Sequence, residues 1–190
     1  MAVGDIIVGI DIGSSKVSLV VGEVNSFNQV ELVYTVELKC KGIKKTKIID
    51  EDEIANAIIK SVQDAEKEAE IKINSAYLTI AGSYVTIVQN SVTKTIKDKY
   101  AGISARDVSS ALMQVKDIDL PEGKSIIDIV TDRFVLEDGR SVDDPVGNLV
   151  SSFTINAQVI LGDREYIRQL SNICKKADLD IDGIIPITLA

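Results

Sequence analysis

Residues 11–16 read D-I-G-S-S-K: an acid, a glycine, two hydroxyls and a lysine, set between the β-branched runs at 6–12 and 17–24. A turn of small residues lets backbone N–H groups converge on an anion, and the hydroxyls and the lysine suit the same ligand. The other reading is an ordinary β-hairpin whose first strand ends on an aspartate. The local residues leave both open.

The remaining reactive residues point to structure rather than chemistry. There is no histidine, which removes Ser-His and Cys-His catalysis and the usual zinc sites. Cys40 and Cys174 lie far apart with no ligand spacing, and are expected as buried thiols. The acids of 50–53 suit the positive end of a helix dipole better than a metal. Asp143 and Asp144, before Pro145, suit a turn better than acid–base work. Ala81, Gly82 and Ser83 read as a crossing between subdomains.

The bulk properties are those of a globular protein: 190 residues, 45% hydrophobic, 26% charged. Aromatics make up only 4%, so Ile, Val, Leu and Ala must build the core. A net charge of −8 argues against an electrostatic grip on nucleic acid. No signal peptide is evident, and no apolar run approaches the ~20 residues that span a bilayer. The expected location is the cytoplasm.

The order of elements is more informative. Two strands flank the 13–15 turn, and 29–40 adds a third, making a meander. A long helix follows over 48–71, with Asp50 as its cap and Glu53 expected to reach back to it. Its apolar stripe is Ile54, Ile58, Ile59, Val62, Ala65 and Ala69. Residues 75–82 resume the sheet. From 83 the pattern becomes strand, helix, strand, strand, with Ser104 and Asp107 as a capping box. A helix started by Asp163 follows, with Ile167, Leu170, Ile173 and Cys174 as its apolar face, and then a strand. The expected division is 1–82 and 163–190 in one sheet, with 83–162 inserted. The apolar ending "ITLA" suggests a piece of a longer protein.

The stretch "VGIDIGSSKVSLVVGE" resembles the first phosphate loop of the superfamily of actin, sugar kinases and heat-shock-chaperone ATPases. An insert of this element order, placed after the helix and the next strand, resembles subdomain IC of the bacterial cell-division actins of the FtsA family. "INSAYLTIAGSYV", the Asp144-Pro145-x-Gly147 loop and "DLDIDGIIPITLA" are similar to that family's entry into IC, its loop and its return. Two departures stand out. Val150 and Ser152 fall where the family often carries glycine and arginine. Ile187 or Thr188 falls where related ATPases often place a polar residue near the attacking water.

The resemblance implies an α/β fold: an actin-like (ribonuclease H-like) subdomain IA with an inserted α+β subdomain IC. It implies binding of ATP and Mg²⁺ by Asp11, Gly13, Ser14, Ser15 and Lys16. Asp11 would hold the metal through water, and Lys16 would neutralise phosphate charge. Gly13 would permit close approach and unusual φ, and the serines would donate hydrogen bonds. It implies no catalytic residue here, and at most weak ATPase activity in a full-length protein. The implied partners are further copies in filaments, FtsZ and late division proteins. Membrane contact at the cytoplasmic face of the inner membrane would run through a C-terminal segment outside this sequence. A pilus-assembly scaffold like PilM, or a sugar-kinase-type enzyme, are the alternatives.

Overall fold

A computed structural model describes residues 2–98 and 100–187. Thr188, one of the two positions weighed above, and the rest of 188–190 lie outside them. The chain divides into two compact units, 1–84 with 164–190, and 85–163.

In the first unit, β1 (Ile6–Ile12), β2 (Lys16–Val24) and β3 (Val30–Lys39) form the antiparallel meander. A small ribbon follows, β4 (Ile43–Lys44) and β5 (Lys47–Ile48), turning through Lys45 and Thr46 with both φ positive. Two-residue strands leave no periodicity to read in the sequence, so nothing there pointed to this ribbon. Helix α1 (Glu51–Ala69) ends where Glu70 turns left-handed. It buries Ile54, Ala55, Ile58, Ser61 and Ala65, close to the expected stripe. Asp50 accepts from the Glu53 N–H, as a cap should. Glu53 does not reach back: its carboxylate takes the Lys41 N–H at 2.8 Å, while the Asp50 N–H goes to the Gly42 carbonyl.

Strand β6 (Ser75–Ala81) then lies parallel to β1, and a 3-10 turn (Gly82–Tyr84), with Gly82 at φ +67°, closes this stretch.

The second unit pairs β7 (Val85–Thr95) with β10 and covers them with α2 (Ala105–Val115). Strand β8 (Lys124–Leu136) and the short β9 (Ser141–Val142) follow, then β10 (Ser152–Asp163), giving the sheet order β7-β10-β8-β9. Ser104 and Asp107 form the expected capping box. The core is Ile96, Ile103, Ala111, Val115, Leu136, Val150, Phe153, Ile155, Ala157, Val159 and Leu161. Val150, one of the departures noted above, is thus a core residue. The D-P-x-G loop is a turn: Asp144 accepts from the Val146 N–H, and the Gly147 N–H donates to the Ile103 carbonyl.

Back in the first unit, α3 (Arg164–Lys176) buries Leu170, Ile173 and Cys174. Asp163 belongs to the end of β10 and faces Lys124 at 3.8 Å. Strand β11 (Asp180–Ile187) lies parallel to β6. The five-stranded order is β11-β6-β1-β2-β3, an antiparallel meander extended by two parallel strands. With the α+β unit between α3 and β6, the fold is the class expected. Helix α1 packs on β2, β3 and α3, and α3 packs on β11.

Candidate functional site

Strand order locates the place where a ligand can sit. From β1 the chain runs to one side through β2 and β3, then crosses to the other through β6 and β11. Where the winding reverses, the carboxyl ends of adjacent parallel strands leave a crevice. Here those strands are β1 and β6, and their register sets Asp11 beside Thr79.

The Thr79 hydroxyl donates to one Asp11 carboxylate oxygen at 2.6 Å. Its distance to the Ile10 carbonyl is 3.3 Å, a weaker second contact. Asp11 is half-buried, while Ser14, Ser15 and Lys16 are exposed at the turn. The Gly13 N–H is committed to the Lys16 carbonyl at 2.9 Å. Gly13 is therefore not among the N–H donors that a ligand at this turn could meet, and the hydroxyls of Ser14 and Ser15 are exposed there. Gly13 does not adopt positive φ, against the expectation of unusual φ there. Its smallness serves close approach instead: a Cβ would lie 3.3 Å from the Lys16 carbonyl oxygen and 3.8 Å from Asp11 Oδ2. Lys16 forms an ion pair with Glu37 on β3. Both side chains are about half exposed, so the pair is worth roughly 0–1 kcal/mol and does not fix the lysine.

Mg²⁺ requires oxygen ligands and keeps several waters. Among the described residues no three acids, cysteines or histidines cluster as a cage. One carboxylate, oriented by a hydroxyl at the edge of a turn, fits a cation that keeps most of its shell as water and phosphate oxygens. That is the habit of Mg²⁺ with nucleotides.

Two aromatic residues that the sequence analysis passed over belong to the same end of this unit. Tyr84 closes the 3-10 turn after β6, and Tyr166 stands in the first turn of α3. Their rings stack 3.5 Å apart and 1° from parallel. The Tyr84 hydroxyl donates to the Thr46 carbonyl of the β4–β5 turn. Burial pushes the Tyr166 phenol up to about 12, with smaller contributions from Tyr84 and from the Asp11 charge. Eighty-two positions separate the two tyrosines, so no local pattern could have paired them.

The two cysteines are buried and free, as expected. Among the described residues no helix is long and apolar enough to cross a membrane.

Residues 82–161 match the family described as the SHS2 domain inserted in FtsA. Over 182 residues, 96% of its length, the chain is 24% identical to cell division protein FtsA of Pseudomonas aeruginosa, covering 43% of that protein. Over 180 residues it is 22% identical to FtsA of Bacillus subtilis, covering 41% of it. The chain thus spans less than half the length of these curated relatives. Among solved structures, a PilM–PilN type IV pilus biogenesis complex aligns with 96% of this chain and 46% of that one, at 15% identity and a TM-score of 0.45.

Proposed function

We propose that this chain, which matches the SHS2 domain inserted in FtsA over residues 82–161 and is 24% identical to one curated FtsA and 22% to another, serves bacterial cell division as part of an actin-like, nucleotide-binding protein. One observation carries the reading. The same chain holds an FtsA-type insert and, at the winding reversal of its host sheet, a carboxylate fixed by Thr79 beside a small-residue turn.

The ligand we propose is ATP with Mg²⁺. When bound, the metal offsets phosphate charge and supplies ordered water around it. Asp11 orients that water, and the Thr79 hydroxyl holds the carboxylate in place. Ser14 and Ser15 donate to phosphate oxygens. Lys16 exchanges its weak pairing with Glu37 for the phosphates. Gly13 keeps the turn tight enough for the approach.

The further roles belong to the longer protein: assembly into filaments, and linkage of the FtsZ ring to the cytoplasmic face of the inner membrane. Unit 85–163 is its module for contacting neighbouring copies and late division proteins.

Calorimetry with Mg·ATP tests the site. The 190-residue chain should bind at about 1 mM or more weakly, since the turn alone offers only a few charge-assisted hydrogen bonds. In a full-length protein, Asp11→Ala should weaken Mg²⁺-dependent binding and Gly13→Val should block it. Undiminished binding by Gly13→Val would reduce the motif to a hairpin.

A further inference from the structure

Proteins guard the edges of their sheets with charge, proline, bulges or short strands, because an open edge accepts another chain. The four-stranded sheet of unit 85–163 guards one side and leaves the other open. On the guarded side β8 carries Lys124, Asp128, Asp132 and Arg133, and two register shifts break its ladder with β10. The two-residue β9 covers its end. On the open side β7 runs for 11 residues with no proline, no glycine, no acid and a single charge, Lys94. It pairs with β10 from Val85 to Thr95 without a shift, and among the described residues no other strand lies beside it.

Side-chain contacts show which main-chain groups of β7 face outward. The Ser91 N–H donates to its neighbour's side chain, Asn90 Oδ1, at 2.9 Å. The Ser91 and Asn156 side chains meet at 2.9 Å, and the Thr93 and Thr154 hydroxyls at 2.8 Å. Such close approach marks the antiparallel positions that exchange no main-chain bonds. Ile87, Gln89, Ser91 and Thr93 therefore turn their N–H and C=O groups away from β10, toward the open edge. Val88 and Val92 lie on the opposite face, partly buried against the core.

The occupant that fits this edge is the same strand of a second copy, running antiparallel. Turned about Asn90, Val85 meets Thr95, Ile87 meets Thr93, Val88 meets Val92 and Gln89 meets Ser91, so that all 11 residues overlap. Outward-facing groups then meet outward-facing groups, valine meets valine at the rim of each core, and Lys94 meets Thr86 rather than its own counterpart.

We propose that β7 is a self-pairing edge, joining two copies of unit 85–163 into one antiparallel sheet about a two-fold axis at Asn90. The inference rests on the reading of this unit as a contact between copies, and gives that contact a strand and a register. Pairing replaces the Asn90 cap on the Ser91 N–H with the Gln89 carbonyl of the second copy. The Asn90 amide keeps its other bond, to the Val115 carbonyl at 2.9 Å.

Sedimentation equilibrium on the 190-residue chain, without nucleotide, tests the pairing, with circular dichroism reporting the fold. The parent should be half paired on the order of 100 µM, since one pair of strands is a small interface. Gln89→Pro removes an outward N–H and spares the ladder with β10, and should raise that midpoint at least about tenfold. Gln89→Asp combined with Ser91→Asp, at two exposed positions, sets carboxylates directly opposite each other and should do the same. This second variant decides the matter if the proline variant fails to fold. Ser141→Asp, on β9, should leave pairing unchanged. Asn90→Cys should yield a disulfide-linked dimer under mild oxidation, because the native thiols are buried and the axis brings the two positions together. A parent chain that stays monomeric at about 1 mM would overturn the proposal. So would an Asn90→Cys chain that pairs without cross-linking. Pairing that survives Gln89→Asp with Ser91→Asp would overturn the role of β7 while keeping a contact between copies. The nucleotide reading stands or falls separately, on calorimetry with Mg·ATP.

Discussion

Asp11 and Thr79 sit side by side on adjacent parallel strands, and the Thr79 hydroxyl donates to the Asp11 carboxylate at 2.6 Å. Sixty-eight positions separate them in sequence, and the strand order alone brings them together. Thr79→Val keeps the shape of the side chain and removes the donor. It should lower the unfolding free energy by about 1 kcal/mol, read as a smaller urea midpoint with an unchanged slope. In a full-length protein it should also weaken Mg·ATP binding more than it weakens ATP binding without the metal.

Gly42 should tolerate no side chain. A Cβ there would lie 2.4 Å from Ile54 Cγ1 and 2.5 Å from the Asp50 carbonyl oxygen. Its own carbonyl accepts from both Ile49 and Asp50, so the backbone cannot drift away without loosening the start of α1. Gly42→Ala should destabilise by about 2 kcal/mol or more, at the upper part of the range for overpacking. A thermal melt that stays at the parent's midpoint would contradict the geometry.

The capping box of α2 gives a pH-dependent term. Bonds from the Ser104 side chain and backbone hold the Asp107 carboxyl below its usual range. A depressed carboxylate contributes stability above its unfolded pKa, and loses it as pH falls through the lower folded value. The melting temperature should therefore decline as pH drops below about 4, and Asp107→Ala should flatten part of that decline. Ser104→Ala should lower stability by about 1 kcal/mol at neutral pH.

Both thiols should be silent in the folded protein. Burial pushes Cys174 up to about 12 and raises Cys40 as well. At pH 8 the Cys174 thiolate fraction is then on the order of 1 in 10,000, and reactivity follows the thiolate. Disulfide-exchange reagents should label neither residue in buffer and both in denaturant. Rapid native labelling would mean that the burial is wrong.

What the sequence revealed was what has a period or a local rule. The α1 stripe repeats at helical spacing, Ser104 and Asp107 stand three apart, and D-P-x-G makes a local turn. Each of these formed as expected. Competition between nearby partners was not legible. Glu53 had a reachable N–H at Asp50, but the chain before the helix folds back, and Lys41 offers its own. The φ of Gly13 is not legible either, because a glycine in a turn can serve proximity as well as left-handed backbone. At the candidate site the turn could be read from adjacent residues. Thr79, Tyr84 and Tyr166 could not, since strand order and helix placement bring them there.

Strands β7 and β10 are neighbours, and their ladder runs to a last pair, Val85 with Gly162. The two ends of the insert are therefore about 5 Å apart, a gap that roughly two residues can bridge. In evolutionary terms the insert is a cassette. It can be lengthened, exchanged or lost by recombination at one spot, while the register of the surrounding strands stays as it is. Descent can thus rewrite the insert without touching the fold that carries it.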